Sequence, residues 1–316
     1  MREATAIAHP NIALVKYWGK RDLRLNLPAV PSLSLTLGGY RTRTTVTWGT
    51  SRDEIVLNGL MGDDPKVRRV LDLVAPGRPG VRVESDNDFP TGAGLASSAS
   101  GFAALVVAAA AAAGRALSVD ALSALARRGS GSACRSLFGG FVQWPLGTEP
   151  DGSDSVGVPI APADHWDVRL LVAVVSEARK DVGSTEGMTR SQETSPYWPT
   201  WVAMGPGLVD RAREAVLARD LAALGEAMET STFAMHATMH TAVPPLLYWQ
   251  PATVAALHAV FALRRDGVAA YATMDAGPQV KVLCAAADAE RVRAALVPHV
   301  LRVDVHAPGG PARLVP

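Results

Sequence analysis

The chain is predicted to be a mixed α+β protein of two domains. Three observations carry this. Runs that alternate apolar and polar residues, such as Val81-Arg82-Val83-Glu84-Ser85, mark half-buried strands. Segments with helical spacing, such as 119–128 and 200–240, lie between them. A stretch rich in Gly, Pro, Asp and Ser at 147–164 breaks the pattern near the middle, so the expected domains are 1–164 and 165–316. A chain of 316 residues, 48% hydrophobic and 19% charged, buries a sizeable core without staples. Its net charge of +1 gives no reason to expect a nucleic acid or a membrane surface as partner. Cys134 and Cys284 form no CxxC pair and no disulfide framework, which suits a reducing cytoplasm. Met1 to Thr5 carries an acid and no apolar core, unlike a signal peptide, and the apolar run from Phe102 to Ala113 is too short to cross a bilayer.

In chain order, a first strand is expected before Pro10-Asn11 breaks it. The following Lys16-Tyr17-Trp18-Gly19-Lys20 reads, from the residues alone, first as amphipathic cover for a domain edge and only second as a polar site. Leu33, Leu35 and Leu37 alternate with Ser34 and Thr36, a strand with one apolar face. Thr42 to Trp48 is expected as its partner across a Gly38-Gly39 turn. Residues 65–74 look helical.

The stretch from Asp88 to Gly101 joins the Val81 strand to an Ala-rich helix, with Ser97 or Ser98 as its cap and Gly114 as its stop. Small residues let backbone N–H groups approach a ligand, and a helix start favours an anion. A polyphosphate is the natural guest. Pro90, Gly92, Ala93, Gly94, Leu95, Ala96, Ser97 and Ser98 are the candidates, and the hydroxyl of Ser98 suits a phosphate-bound Mg²⁺. The loop lacks the third glycine of G-x-G-x-x-G and the Gly-Lys-Ser/Thr of a Walker A loop. From the residues alone, a plain glycine-rich connection stays open.

Ser118 is expected to cap a helix over 119–128. The Gly- and Ser-dense run Ser130-Gly131-Ser132-Ala133-Cys134-Arg135 supplies donors, and Arg135 brings a planar fork suited to carboxylate or phosphate. Cys134 reads as a small buried residue. A strand is expected at 168–175, helical spacing over 200–240 with Pro206 near a helix start, a helix at 253–265, and strand, turn, strand across 268–281. His236 and His240 share a helix face, but the glutamate of H-E-x-x-H is missing, so zinc is not expected. A helix at 290–296 and a last strand at 301–305 close the chain.

Several separated motifs resemble one family. Pro-x-x-x-Gly-Leu-x-Ser-Ser-Ala at 90–99 is similar to the phosphate loop of the GHMP kinase superfamily. Asn11-Ile12-Ala13-x-x-Lys16-Tyr17-Trp18-Gly19-Lys20-Arg21-Asp22, the 128–141 stretch and Asp275-Ala276-Gly277-Pro278 resemble the diphosphomevalonate decarboxylases within it. The resemblance implies a ribosomal protein S5 domain 2-like N-terminal domain joined to a ferredoxin-like α/β C-terminal domain. It implies ATP-dependent decarboxylation of mevalonate 5-diphosphate to isopentenyl diphosphate, with Mg²⁺, in a homodimer. It makes Asp275, Lys16 and Arg135 catalytic, Arg135 also gripping the substrate carboxylate. Asn11, Tyr17, Lys20, Ser130, Ser132 and Ser184 would bind substrate.

Val30-Pro31, Gly183 and Gln279 depart from the family pattern, and the first of these is expected to alter the mouth of the site. Other readings stay open: a relative acting on mevalonate or its 5-phosphate, as kinase or phosphomevalonate decarboxylase, and a nucleotide-binding regulator without turnover.

Overall fold

Apolar alternation in the first half builds two sheets that share a helical filling. The computed structural model describes residues 2–89, 97–178 and 180–315. Strand β1 (Arg2–Ala8) stops at Pro10, and β2 (Asn11–Val15) starts at once in a different sheet. A small β3 (Lys20–Asp22) and β4 (Leu27–Pro28) ribbon follows, then β5 (Ser32–Thr36), β6 (Thr42–Thr50), β7 (Glu54–Leu57) and β8 (Leu60–Gly62). Helix α1 (Pro65–Val74) is capped by Asp64, whose carboxylate accepts from the Lys66 N–H. Strand β9 (Gly80–Asn87) then leads toward α2 (Ser97–Ala112) and α3 (Val119–Gly129), with Ser118 capping α3 as expected.

The alanines of α2 let it lie close against the first sheet, near enough for Trp48 Nε1 to donate to the Ala109 carbonyl at 3.1 Å. Ser97 and Ser98 form the first turn of α2 itself, so neither stands before it as a cap. A 3₁₀ turn over 131–137 precedes β10 (Phe141–Trp144) and β11 (Val158–Ala161), the latter a strand inside the stretch read as a boundary.

Two expectations about β5 are corrected. Its sheet runs β11-β10-β5-β2, whereas β6 pairs with β1 and β9. Gly38-Gly39 is therefore a crossover between sheets. The chain's own tail occupies the turn: Gly38 N donates to the Ala307 carbonyl at 2.8 Å, and a side chain on Gly39 would strike His306. Nor is one face of β5 open, since Ser34 and Thr36 are buried and their hydroxyls donate to the carbonyls of Val142 and Phe138.

The second half contains β12 (Val168–Val174), helices α4 (Ser184–Thr194), α5 (Trp198–Ala218), α6 (Leu221–His240) and α7 (Pro251–Arg265), then β13 (Ala270–Met274), β14 (Val280–Ala285), α8 (Ala289–Leu296) and β15 (Arg302–His306). The antiparallel sheet order is β13-β14-β12-β15. Pro206 lies inside α5, and Pro199 marks its start, because only the first turn has N–H groups to spare. The strand at 302–306 is not the last. A further strand, β16 (Arg313–Val315), returns to pair with β1 and closes the edge of the first sheet. Among the described residues, no helix is long and apolar enough to cross a membrane.

Candidate active site

Three basic side chains and one acid converge where β2, β13 and β14 meet α6. Lys16 follows β2, and its backbone N–H donates to Ser231 Oγ on α6 at 2.9 Å, which fixes where the side chain starts. Its Nζ lies 2.7 Å from Oδ1 of Asp275, the first residue after β13. The other oxygen, Oδ2, lies 3.0 Å from Lys281 Nζ on β14. Both lysines are buried, while the Asp275 carboxylate keeps 30% of its surface open. Burial alone would raise Asp275, but the two ammonium groups outweigh it and hold the carboxyl well below the usual range. Burial pulls Lys16 down to about 8, Asp275 opposing and Lys281 assisting.

Lys281 and Lys180 are site residues that the motifs did not reveal. Lys180 Nζ donates to Ser184 Oγ at 2.8 Å and to the Ala276 carbonyl at 3.0 Å, so it ties Ser184 to the Asp275 turn. A signal for Lys281 existed: it is the one charged residue in the otherwise apolar strand Val280-Lys281-Val282-Leu283-Cys284-Ala285.

Arg135, on the 3₁₀ turn, is buried and donates from Nε to Asn11 Oδ1 at 3.1 Å and from Nη1 to Ser32 Oγ. Asn11 in turn donates to Ser136 Oγ and to the Ser132 carbonyl, so it orients Arg135 from behind. Among the described residues no carboxylate lies within ion-pair distance of Arg135. A buried guanidinium without an acid is a receptor for an anion. Tyr17 packs its ring on Trp144 at 4.7 Å, and its buried hydroxyl, beside Gly131, has no hydrogen-bond partner among the described residues.

Farther along, Ser98, Ser130 and Ser132 form a row of hydroxyls, 3.1 Å and 3.5 Å apart in succession. Lys20 is held by Asn26 Oδ1 at 2.7 Å, and burial, with Lys66 and Arg69 nearby, lowers it to about 8. A cleft of about 220 Å³ opens beside the start of α2, lined by Thr44, Leu57, Asn58, Val83, Ser97, Ser98 and Phe102. Hydroxyls, cations and a helix start suit polyphosphate and Mg²⁺, which takes oxygen ligands largely from phosphates. Pro90, Gly92, Ala93, Gly94, Leu95 and Ala96 lie outside the described residues.

The departures from the family pattern fall in different places. Val30 and Pro31 are buried behind the site against Gly205 of α5, which corrects the expectation that they shape its mouth. A Cβ on Gly183 would meet nothing within 4 Å, so this position is open. Gln279 accepts from the Val175 N–H at 2.6 Å and pins the Asp275 turn to β12. His236, buried near Lys16 and Asp275, is pushed down to about 3 by burial, so its ring is neutral. Its ring centre is 5.9 Å from that of His240, and no group of three metal-ligating side chains occurs among the described residues. The Cys134 thiol is buried and pushed up to about 12, in keeping with a packing role.

Known proteins share this architecture. Residues 8–157 match the Diphosphomevalonate decarboxylase-like N-terminal domain, and 170–307 match the Mevalonate 5-diphosphate decarboxylase C-terminal domain. The Diphosphomevalonate decarboxylase of Candida albicans is 38% identical over 95% of this chain and 89% of its own. A solved structure of MDDEF in complex with MVAPP, AMPPCP and magnesium superposes with a TM-score of 0.92, at 41% identity over 99% of each chain. The mevalonate diphosphate decarboxylase from Enterococcus faecalis, described for its mevalonate diphosphate mediated ATP binding, gives 0.91 at 39% over 99% of each. The two-part α+β architecture is the GHMP kinase fold of those structures, and the chain belongs to the diphosphomevalonate decarboxylase family.

Proposed function

We propose that the protein uses ATP to decarboxylate mevalonate 5-diphosphate, giving isopentenyl diphosphate, ADP, phosphate and CO₂. The observation that carries this is the open Asp275 carboxylate, clamped by Lys16, within the electrostatic reach of a buried Arg135 that has no ion-paired acid among the described residues. A 3-hydroxy acid would lie between them. Its carboxylate would pair with Arg135 and its tertiary hydroxyl would donate to Asp275. That grip fixes the C2–C3 bond so that the oxygen on C3 and CO₂ leave in line.

Asp275 is a weak base where it sits. It would orient the hydroxyl from the start and take the proton only as the oxygen bonds to phosphorus. Lys16 would hold Asp275 ionised and screen the incoming phosphoryl group. Tyr17, Lys20, Ser130 and Ser132 would anchor the far diphosphate, whose binding energy orients the reacting end. Residues 90–98 would cradle the phosphates of ATP, and the cleft lined by Leu57, Asn58 and Phe102 would take its base. Bound Mg²⁺, with Ser98 among its oxygen ligands, would neutralise charge on the transferred group.

The same reading keeps units 1–164 and 165–316, a cytoplasmic site of action and a homodimer, the last open to light scattering. The deciding experiment offers mevalonate, its 5-phosphate and its 5-diphosphate separately with ATP and Mg²⁺, scoring ADP and CO₂. Equal ADP and CO₂ with the diphosphate alone is expected. ADP without CO₂ would make the protein a kinase, and neither product with any of the three would overturn the substrate assignment.

A further inference from the structure

We propose that Lys281 is a positioning residue of this reaction: its buried ammonium clamps Oδ2 of Asp275 while Lys16 holds Oδ1, so the carboxylate faces the substrate in a single orientation. The inference deepens the function proposed above and rests on it. Three features of the fold carry it.

First, β13 and β14 pair in register, Thr273 opposite Lys281 and Met274 opposite Val280, so the turn between them returns the lysine beside the aspartate. Second, β14 is an inner strand flanked by β13 and β12, and Lys281 is fully buried there, so its ammonium has no route to solvent. A charge so placed is held by its partner. Third, the turn is tied down on its far side, where the Gln279 side chain accepts from the Val175 and Ser176 N–H groups. The geometry of the pair therefore belongs to the backbone, and a ligand need not assemble it.

The clamp leaves Asp275 only a rotation-locked edge open to solvent. One ammonium would allow the carboxyl to swing about its bond to Cβ. Two opposed ammonium groups remove that freedom, which is the preorganisation that an acceptor of a single hydroxyl proton needs. The other charged or titratable groups that act on Asp275 are Arg135 from the 3₁₀ turn, Lys180 from the loop before α4, and the neutral His236 from α6.

The test follows the Asp275 side-chain carboxyl by ¹³C NMR across acid pH in ligand-free protein, in wild type and in Lys281→Met. The wild-type carboxyl should stay ionised to the acid limit of folding. In Lys281→Met its proton affinity should rise about 10- to 1000-fold, bringing its titration into view. In turnover assays the same variant should lose about 10- to 100-fold in kcat with KM little changed, and the acid limb of its kcat profile should move toward neutral.

A carboxyl that titrates alike in both proteins, or a kcat loss equal at every pH, would overturn the proposal. If Lys281→Met does not fold, the wild-type Lys281 ammonium ¹⁵N resonance is compared with that in Asp275→Asn. Loss of its protection from solvent exchange supports the clamp, and an unmoved resonance overturns it. Absence of any turnover by wild type would sink the decarboxylase reading, while the titration would still decide the clamp.

Discussion

The charged centre and the hydroxyl row do opposite physical jobs. Around Asp275, Lys16 and Lys281 are buried and already paired, and Arg135 is fixed by Asn11 and Ser32. Along Ser98, Ser130 and Ser132 the groups are partly open to solvent and bonded mainly to one another. Burial raises the strength of each electrostatic contact, so the centre suits charge that develops during reaction. The row suits charge that is present throughout, such as a diphosphate, where many modest bonds add up. Damage at the centre should therefore appear in kcat, and damage along the row in KM.

The largest expected effect is at Asp275. Asp275→Asn keeps the shape and removes the acceptor, so kcat should fall by about 10²- to 10⁴-fold while both substrates still bind. Steady-state kinetics with isothermal titration checks this, and a kcat near wild type would break the comparison. Next, Arg135→Gln removes one half of a desolvated pair with the substrate carboxylate, and kcat/KM should drop by about 10²- to 10³-fold. Competition by a substrate analogue without the carboxylate sharpens the point, since its affinity should barely change.

The pH dependence should separate activity from stability. Lys16 is charged below about 8, so kcat/KM should decline about tenfold per pH unit above that point. Stability should move the other way. Because the folded Lys16 loses its proton near 8 and the unfolded one near 10.5, the unfolded chain binds more protons between these values, and this group's contribution to the unfolding free energy rises through that window. Denaturant melts from pH 8 to 10 measure it. The smallest effects belong to the row: Ser130→Ala or Ser132→Ala should each cost about 0.5–1.5 kcal/mol, a few-fold rise in KM for the diphosphate with kcat nearly intact. A large kcat loss there would erase the distinction between the two regions.

Local order was legible where it depends on neighbours in sequence. The α1 and α3 helices, the Ser118 cap and the β9 strand follow from spacing and cap chemistry acting within a few residues. Lys16, Arg135 and Asp275 were found through motifs, and the fold brings them to one place from positions far apart in the chain. Which strand pairs with which was not legible. The β5 to β6 hairpin fails because Gly38-Gly39 is packed by residues 306–309, a contact between opposite ends of the chain.

Lys281 shows the same division most sharply. A lysine in an apolar strand is visible as an anomaly in the sequence, but its partner is set by strand register. By itself the sequence determined many of the elements, the candidate chemistry and the family. Only the tertiary structure decided that Asp275 has two ammonium partners and that Arg135 has no ion-paired acid among the described residues, because burial and register, which exist only once distant segments pack, set the electrostatics of both.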